Sequence, residues 1–128
     1  MGLQAAKFGD RVLGVDQHLI QPPSGSPVLM PHIFKGRLVT SLSPNVRISK
    51  RPAATVGSIA INRPPHVPNG GTFVIPPKNR GVVIRGSSSV FINGLPAART
   101  GDSVLTCNDP TDRPVGVIVT LGSVYIGG

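Results

Sequence analysis

The 128-residue sequence contains no glutamate and no tryptophan, and only one tyrosine and one cysteine. Without glutamate the amphipathic stripes that build long surface helices cannot be assembled in the usual way, and no such stripe is visible. The five acids are all aspartates, which leaves little acid–base equipment. No HExxH, nucleophile-elbow or phosphate-loop pattern accompanies them. The lone Cys107 excludes an internal disulfide. No apolar run reaches the roughly 18–20 residues of a membrane-crossing helix. The opening MGLQAAKFGD lacks the charged start and apolar stretch of a secretory signal. The expectation is a chain made and folded in the cytoplasm, which leaves only if a machine carries it.

What is abundant is glycine (16) and proline (14), together with a 39% hydrophobic fraction rich in Val and Ile. Val and Ile suit a pleated, half-buried surface, so the chain reads as one folded all-β domain over residues 1–128 rather than as disorder. The net charge of +8 permits contact with an acidic surface. The basic residues are scattered and almost no aromatics interleave with them, so they read as a solvated outer face and as guards of strand edges. A nucleic-acid-binding module is the alternative, and nucleic acid is not the expected partner.

Internal repetition is the strongest signal. Ser87–Asp102 reads SSSVFINGLPAARTGD, and forty-four residues earlier Ser43–Ser58 reads SPNVRISKRPAATVGS. Ungapped, the two share Ser, Val, Ile, Pro-Ala-Ala and Gly in register. Gln4–Asp10, QAAKFGD, is a third and weaker copy, and Gly122–Gly128, GSVYIGG, repeats the start of the unit. The last of three units is therefore expected to be completed across the two termini. Within a unit, Val46/Ile48, Val90/Ile92 and Val124/Ile126 alternate on one face of a short strand. Asn93-Gly94 is a turn signal, and the small Pro-Ala-Ala residues let backbones approach closely. The Gly that follows occupies a position a Cβ does not suit, and Asp102 can accept bonds from nearby amides. A second apolar stretch precedes each unit, at Arg37–Thr40, Gly81–Ile84 and Val117–Val119. Each unit is thus predicted to be a hairpin with a tight corner.

These residues resemble the PAAR-repeat family. The motif is carried by Pro96, Ala97, Ala98, Arg99, Gly101 and Asp102, with degenerate copies at Pro52, Ala53, Ala54 and Gly57 and at Ala5, Ala6, Gly9 and Asp10. The resemblance implies a small cone of three pseudo-threefold-related hairpin units with long Pro/Gly loops. It implies a base docked on a trimeric β-helical spike protein (VgrG-type) of a bacterial contractile injection system, either type VI secretion or a phage-tail-like extracellular system. It also implies a structural zinc at the apex and contact of the tip with the target membrane on firing; no catalysis is expected, and whether effectors ride on the particle is left open. The second copy departs from the pattern at Thr55 and Ser58, and the Pro-rich insertions Gln21–Pro27 and Asn62–Gly71 leave loop lengths unset. No cargo toxin is expected within this chain.

The inventory of soft donors fits one zinc ion: three histidines and one cysteine, His18, His32, His66 and Cys107. His18 stands 14 residues after Gln4, and His66 stands 14 after Pro52, its counterpart; Cys107 follows Pro96 by 11. Each unit would send one ligand from the loop after its corner, and His32 would supply the fourth from the segment leading into the second unit. A cone apex has too few residues to bury a core, so a metal cross-link can replace hydrophobic stabilisation. Asp16 and Asp109 are candidates to support the ligand loops by hydrogen bonds. The enzymatic alternative is a hydrolase, with Cys107 as nucleophile beside a His, or with a His₃ zinc holding water.

Overall fold

In the computed structural model, residues 2–127 are described. They contain no helix, and their strands follow from β-branched alternation interrupted by Gly and Pro. In chain order these are β1 (Leu3–Gln4), β2 (Arg11–Gln21), β3 (Val28–Thr40), β4 (Arg47–Ile48), β5 (Arg51–Pro52), β6 (Ile59–Asn62) and β7 (Thr72–Phe73). They continue as β8 (Arg80–Val83), β9 (Phe91–Ile92), β10 (Leu95–Pro96), β11 (Ser103–Thr106), β12 (Arg113–Val119) and β13 (Tyr125–Ile126).

Three two-residue ladders stand in equivalent positions. Ile48 pairs with Arg51 and Arg47 with Pro52; Ile92 pairs with Leu95 and Phe91 with Pro96. The third ladder joins the two ends of the chain, with Ile126 on Leu3 and Tyr125 on Gln4, as the permuted repeat predicts. The units then interlock in a ring. The amide of Ala6 donates to Ala98 O, that of Ala98 to Ala54 O, and that of Ala54 to Ala6 O, at 2.9–3.0 Å. A second ring runs from Phe8 to Pro52 O, Val56 to Pro96 O and Thr100 to Gln4 O, each at 2.9 Å. Ala6, Ala54 and Ala98 are completely buried, because three backbones meet where their side chains point. After each Pro-Ala-Ala or Gln-Ala-Ala segment the chain turns through Gly9, Gly57 or Gly101, with φ of 85°, 94° and 87°. That left-handed conformation is unfavourable for a residue bearing a Cβ, which accounts for the glycine.

Above the ring, six antiparallel strands close on themselves in the order β12-β11-β8-β6-β3-β2, with β2 returning to β12 and β7 appended to the far end of β2. The result is a closed, barrel-like cone. Its interior is layered by equivalent residues. Leu38, Val83 and Ile118 form one set, and Val12, Ala60 and Val104 the next, all at zero exposure. The barrel is narrow, and glycines set its bore. A Cβ on Gly36, Gly81 or Gly116 would lie 2.6–2.8 Å from Phe34, Val104 or Thr106. Closing so small a barrel requires these three positions to lack a side chain. The hairpin of β2 and β3 is paired through ten residue pairs and runs on past the ends of β6 and β12, with Gln21–Pro27 in the region of its turn. Periodicity did not announce this length, because Pro31, Gly14 and the histidines interrupt it.

The second unit departs from the motif yet keeps its geometry. At the first and third corners the amides of Lys7 and Arg99 donate to the Oδ2 atoms of Asp10 and Asp102, at 2.9 and 2.7 Å. The same side chains add ion pairs at 3.2 and 2.9 Å. At the second corner the amide of Thr55 donates to Ser58 Oγ at 3.0 Å, and that hydroxyl donates onward to Ser41 O at 2.8 Å. Ser58 therefore does the aspartate's work and also provides a donor that a carboxylate lacks. Restoring the motif by Ser58→Asp would turn an acceptor toward the Ser41 carbonyl in a fully buried site. The variant is expected to lose about 1–3 kcal/mol of stability, read by chemical denaturation.

Candidate metal centre

At the end of the cone away from the alanine ring, β2 carries Asp16 and His18 inward, on the alternate positions that face the barrel. The segment Cys107–Asp109 leaves β11 and fastens to the same strand. The Gln17 amide donates to Asn108 Oδ1 at 2.7 Å, the Asp109 amide donates to Gln17 O at 2.8 Å, and the Leu19 amide donates to Asp109 Oδ2 at 2.8 Å. These bonds place the Cys107 sulfur beside the ring of His18, with Sγ to Nε2 at 3.8 Å. His66 arrives from the Pro-rich loop after β6 and is held by an asparagine pair. Its amide donates to Asn79 Oδ1 at 2.8 Å, Asn62 Nδ2 donates to the same oxygen at 3.0 Å, and Asn62 Nδ2 lies 3.3 Å from His66 Nδ1.

Asp16 is the hub. Its Oδ1 accepts from Thr106 Oγ1 at 2.5 Å and from Asn108 Nδ2 at 3.3 Å. Its Oδ2 faces the soft donors, 2.9 Å from His66 Nε2, 3.5 Å from Cys107 Sγ and 4.0 Å from His18 Nε2. One donor atom from each of Asp16, His18, His66 and Cys107 lies within 4.8 Å of every other. A carboxylate with one oxygen anchored and the other directed into such a group has the arrangement of a supported ligand.

The expected residues converge, with one change of place. His18, His66 and Cys107 share the tight donor group. His32 lies against it, its ring centroid 5.5 Å from those of His18 and His66. Its nitrogens, however, face protein partners: Nδ1 is 2.8 Å from Met30 O, and Nε2 accepts the Asn69 amide at 3.2 Å. The fourth member of the tight group is Asp16, which the sequence pointed to only as support. Asp109 does occupy a supporting position, with Oδ2 3.5 Å from His18 Nδ1. Asn62, Asn79, Thr106 and Asn108 were not legible as site residues; the only trace is that Asn62 and Thr106 occupy equivalent positions of two units, where the first has Gly14.

The electrostatics suit a cation. Burial lowers the pKa of His18, with Asp109 opposing and His66 adding to the shift, so the ring is held neutral and able to ligate. Its Nδ1 is buried with no hydrogen-bond partner among the described residues. Burial first, and Asp16 second, push the Cys107 thiol up to about 11. A thiol held so high is no activated nucleophile. A positive ion at this point would reverse that penalty, balance Asp16 and draw off the thiol proton. The buried Asp16, His18, His66 and Cys107 cluster is thus able to hold a metal ion.

The lowered His18 pKa has a definite sign in stability. Unfolded His18 binds a proton near the ordinary 6.5, whereas the folded ring resists it. The stability this group supports is present above about 6.5 and is lost as pH falls below it. Metal-free protein is expected to melt at progressively lower temperature from pH 7 to pH 5, and His18→Gln to flatten that dependence in a pH series of thermal melts.

No curated protein matches the chain. The PAAR motif family matches residues 75–128, from just before β8 to the C-terminus. That span holds the best-preserved corner, Pro96 to Asp102, together with Cys107 and the β13 strand that pairs with β1. Residues 75–128 are thus similar to the PAAR motif family, and the same hairpin-and-corner unit recurs twice more in the structure.

Proposed function

We propose that this protein is the tip of the spike of a bacterial contractile injection system, docked by its hairpin base on a trimeric β-helical spike protein and stiffened at its apex by one structural zinc ion. The observation that carries the reading is the double ring of hydrogen bonds: one chain presents three equivalent strand pairs at its base and converges to a single buried donor cluster at its apex. A threefold partner needs a surface of that symmetry, and a point needs an asymmetric closure.

The base is suited to being covered. Ile48, Ile92 and Ile126 pack inward with Ala5, Ala53 and Ala97 as a small core of their own. On the outer positions of the ladders, Phe91 with Leu95 and Tyr125 with Leu3 are exposed, while the second unit has Arg47 and Arg51 there. Four exposed apolar side chains from two units and two arginines from the other form the docking surface. Loss of contact through Phe91→Ser with Tyr125→Ser is expected to reduce co-purification with the trimeric spike by about tenfold or more, since buried aromatics dominate such interfaces. Undiminished co-purification would place docking elsewhere.

At the apex the ion is held by Asp16, His18, His66 and Cys107, with His32 in the wall beside them. It supplies a cross-link between β2, the His66 loop and the segment after β11, beside the part of the apolar core that holds Phe34 and Cys107. Purified protein is expected to contain about one zinc per chain, as a closed structural site does. Cys107→Ser and Asp16→Asn should lose most of it and melt at lower temperature, while His32→Asn should retain it. Loss of zinc in His32→Asn with retention in Asp16→Asn would return the fourth position to His32; metal-free wild type would remove the ion from the reading altogether. Catalysis is not part of this function: Cys107 is a buried, fully protonated thiol in the absence of a cation, and Asp16 is spent on structure. Assembly would take place in the cytoplasm, with delivery outside the cell on the particle.

A further inference from the structure

One outer face of the barrel concentrates positive charge in a way that neither docking nor the metal explains. Arg11 on β2 stands directly across from Arg37 on β3, and Leu13 across from Lys35. The register of β3 with β6 continues past Gly36 and Asn62, so that the Arg63 amide donates to Lys35 O at 3.0 Å. Two like-charged cross-strand neighbours, Arg11 with Arg37 and Lys35 with Arg63, therefore lie side by side. Together with Leu13 and Gly36 they line a cleft of about 460 Å³ that contains no carboxylate. Directly opposed like charges destabilise a sheet. Among the described residues none of the four forms an ion pair, and Asp10, beside Arg11 in sequence, has both oxygens engaged by Lys7 Nζ at 3.2 Å. Guarding a strand edge cannot account for these cations, because β2, β3 and β6 are interior strands of a closed barrel.

We propose that this cleft is a binding site for a phosphate-type anion. Arg11 and Arg63 offer paired N–H donors in the fork geometry that matches two oxygens of a phosphate; Arg37, whose Nη1 donates to Gly9 O at 3.0 Å, and Lys35 add positive charge beside them. No aromatic residue lines the cleft, so it offers no stacking platform for bases. The same chemistry is supplied by a soluble polyphosphate or by the headgroups of an anionic phospholipid surface. The cleft lies on the flank of the cone between base and apex, where a membrane would close around an entering tip. The inference does not depend on the zinc or on the spike partner.

The test uses the full chain and sodium pyrophosphate as probe, followed by calorimetric titration at low ionic strength. Saturable binding at one site is expected, weakened about tenfold or more by Arg11→Gln with Arg63→Gln, because charge-assisted bonds contribute at that scale. The control Arg85→Gln, an exposed arginine outside the cleft, should leave it unchanged. The double variant is expected to melt at or above the wild-type temperature without ligand, since it removes repulsion, and to lose the stabilisation pyrophosphate gives. A readout free of mutation is protection of Arg11 and Arg63 from phenylglyoxal by pyrophosphate, followed by mass spectrometry. Co-sedimentation with phosphatidylcholine vesicles containing phosphatidylglycerol, but not with pure phosphatidylcholine, assigns the phospholipid source; binding of pyrophosphate without sedimentation assigns the soluble one. No binding, equal weakening by Arg85→Gln, absence of arginine protection, or tighter binding of a DNA duplex that survives the double variant would each overturn the proposal.

Discussion

Three alanine amides donating in a circle to three alanine carbonyls are the constraint on which the rest of this molecule depends. A closed ring of that size requires three backbones to approach one axis, and only small side chains allow it; hence Ala6, Ala54 and Ala98 at the centre and Ala5, Ala53 and Ala97 just below. The ring fixes where each chain segment must turn, so a left-handed glycine follows three residues after each central alanine. It also fixes the spacing of the strands that rise from the corners. The barrel above is narrow for that reason, and Gly36, Gly81 and Gly116 yield their side-chain volume to Phe34, Val104 and Thr106.

Symmetry serves the base and must be abandoned at the apex. Equivalent residues stay equivalent through the layers of Leu38, Val83 and Ile118 and of Val12, Ala60 and Val104. One layer further, Gly14, Asn62 and Thr106 differ, and each difference has a use: Asn62 holds His66, Thr106 anchors Asp16, and Gly14, whose added Cβ would stand 2.9 Å from Val115 O, lets β12 lie close to β2. At this level Phe34 and Cys107 still belong to the apolar core, and buried polar groups pack against them. Buried polar groups are costly unless paired. Here Asp16 collects four donors, and the residual imbalance, a neutral buried His18 with an unpartnered Nδ1 and a thiol forced to keep its proton, is the kind a bound cation resolves.

The degenerate second unit shows how tolerant this scaffold is of sequence change when the hydrogen bond is kept. Ser58 replaces an aspartate, and its hydroxyl accepts from the Thr55 amide as Asp10 and Asp102 accept from Lys7 and Arg99. What is lost is the ion pair, and these corner pairs differ little in exposure, so the conserved element is the amide-to-oxygen bond rather than the charge. Charge is used elsewhere, on the flank, where Arg11, Arg37, Lys35 and Arg63 stand uncompensated.

The sequence by itself determined the all-β class, the three units, the completion of one unit across the termini, the corner glycines and three of the residues in the tight donor group. Each of these is a local matter: a turn needs glycine, a short strand needs alternating Val and Ile, and repetition carries both around the ring. Tertiary structure alone decided the length of the β2–β3 hairpin, the bore-setting glycines, the place of Asp16 among the donors with His32 outside it, and the gathering of four cations on one flank. Those features depend on register between strands distant in sequence. A shift of one residue would send Asp16 and His18 outward and Arg11 inward, and nothing in a single strand's pattern reports which partner it will meet.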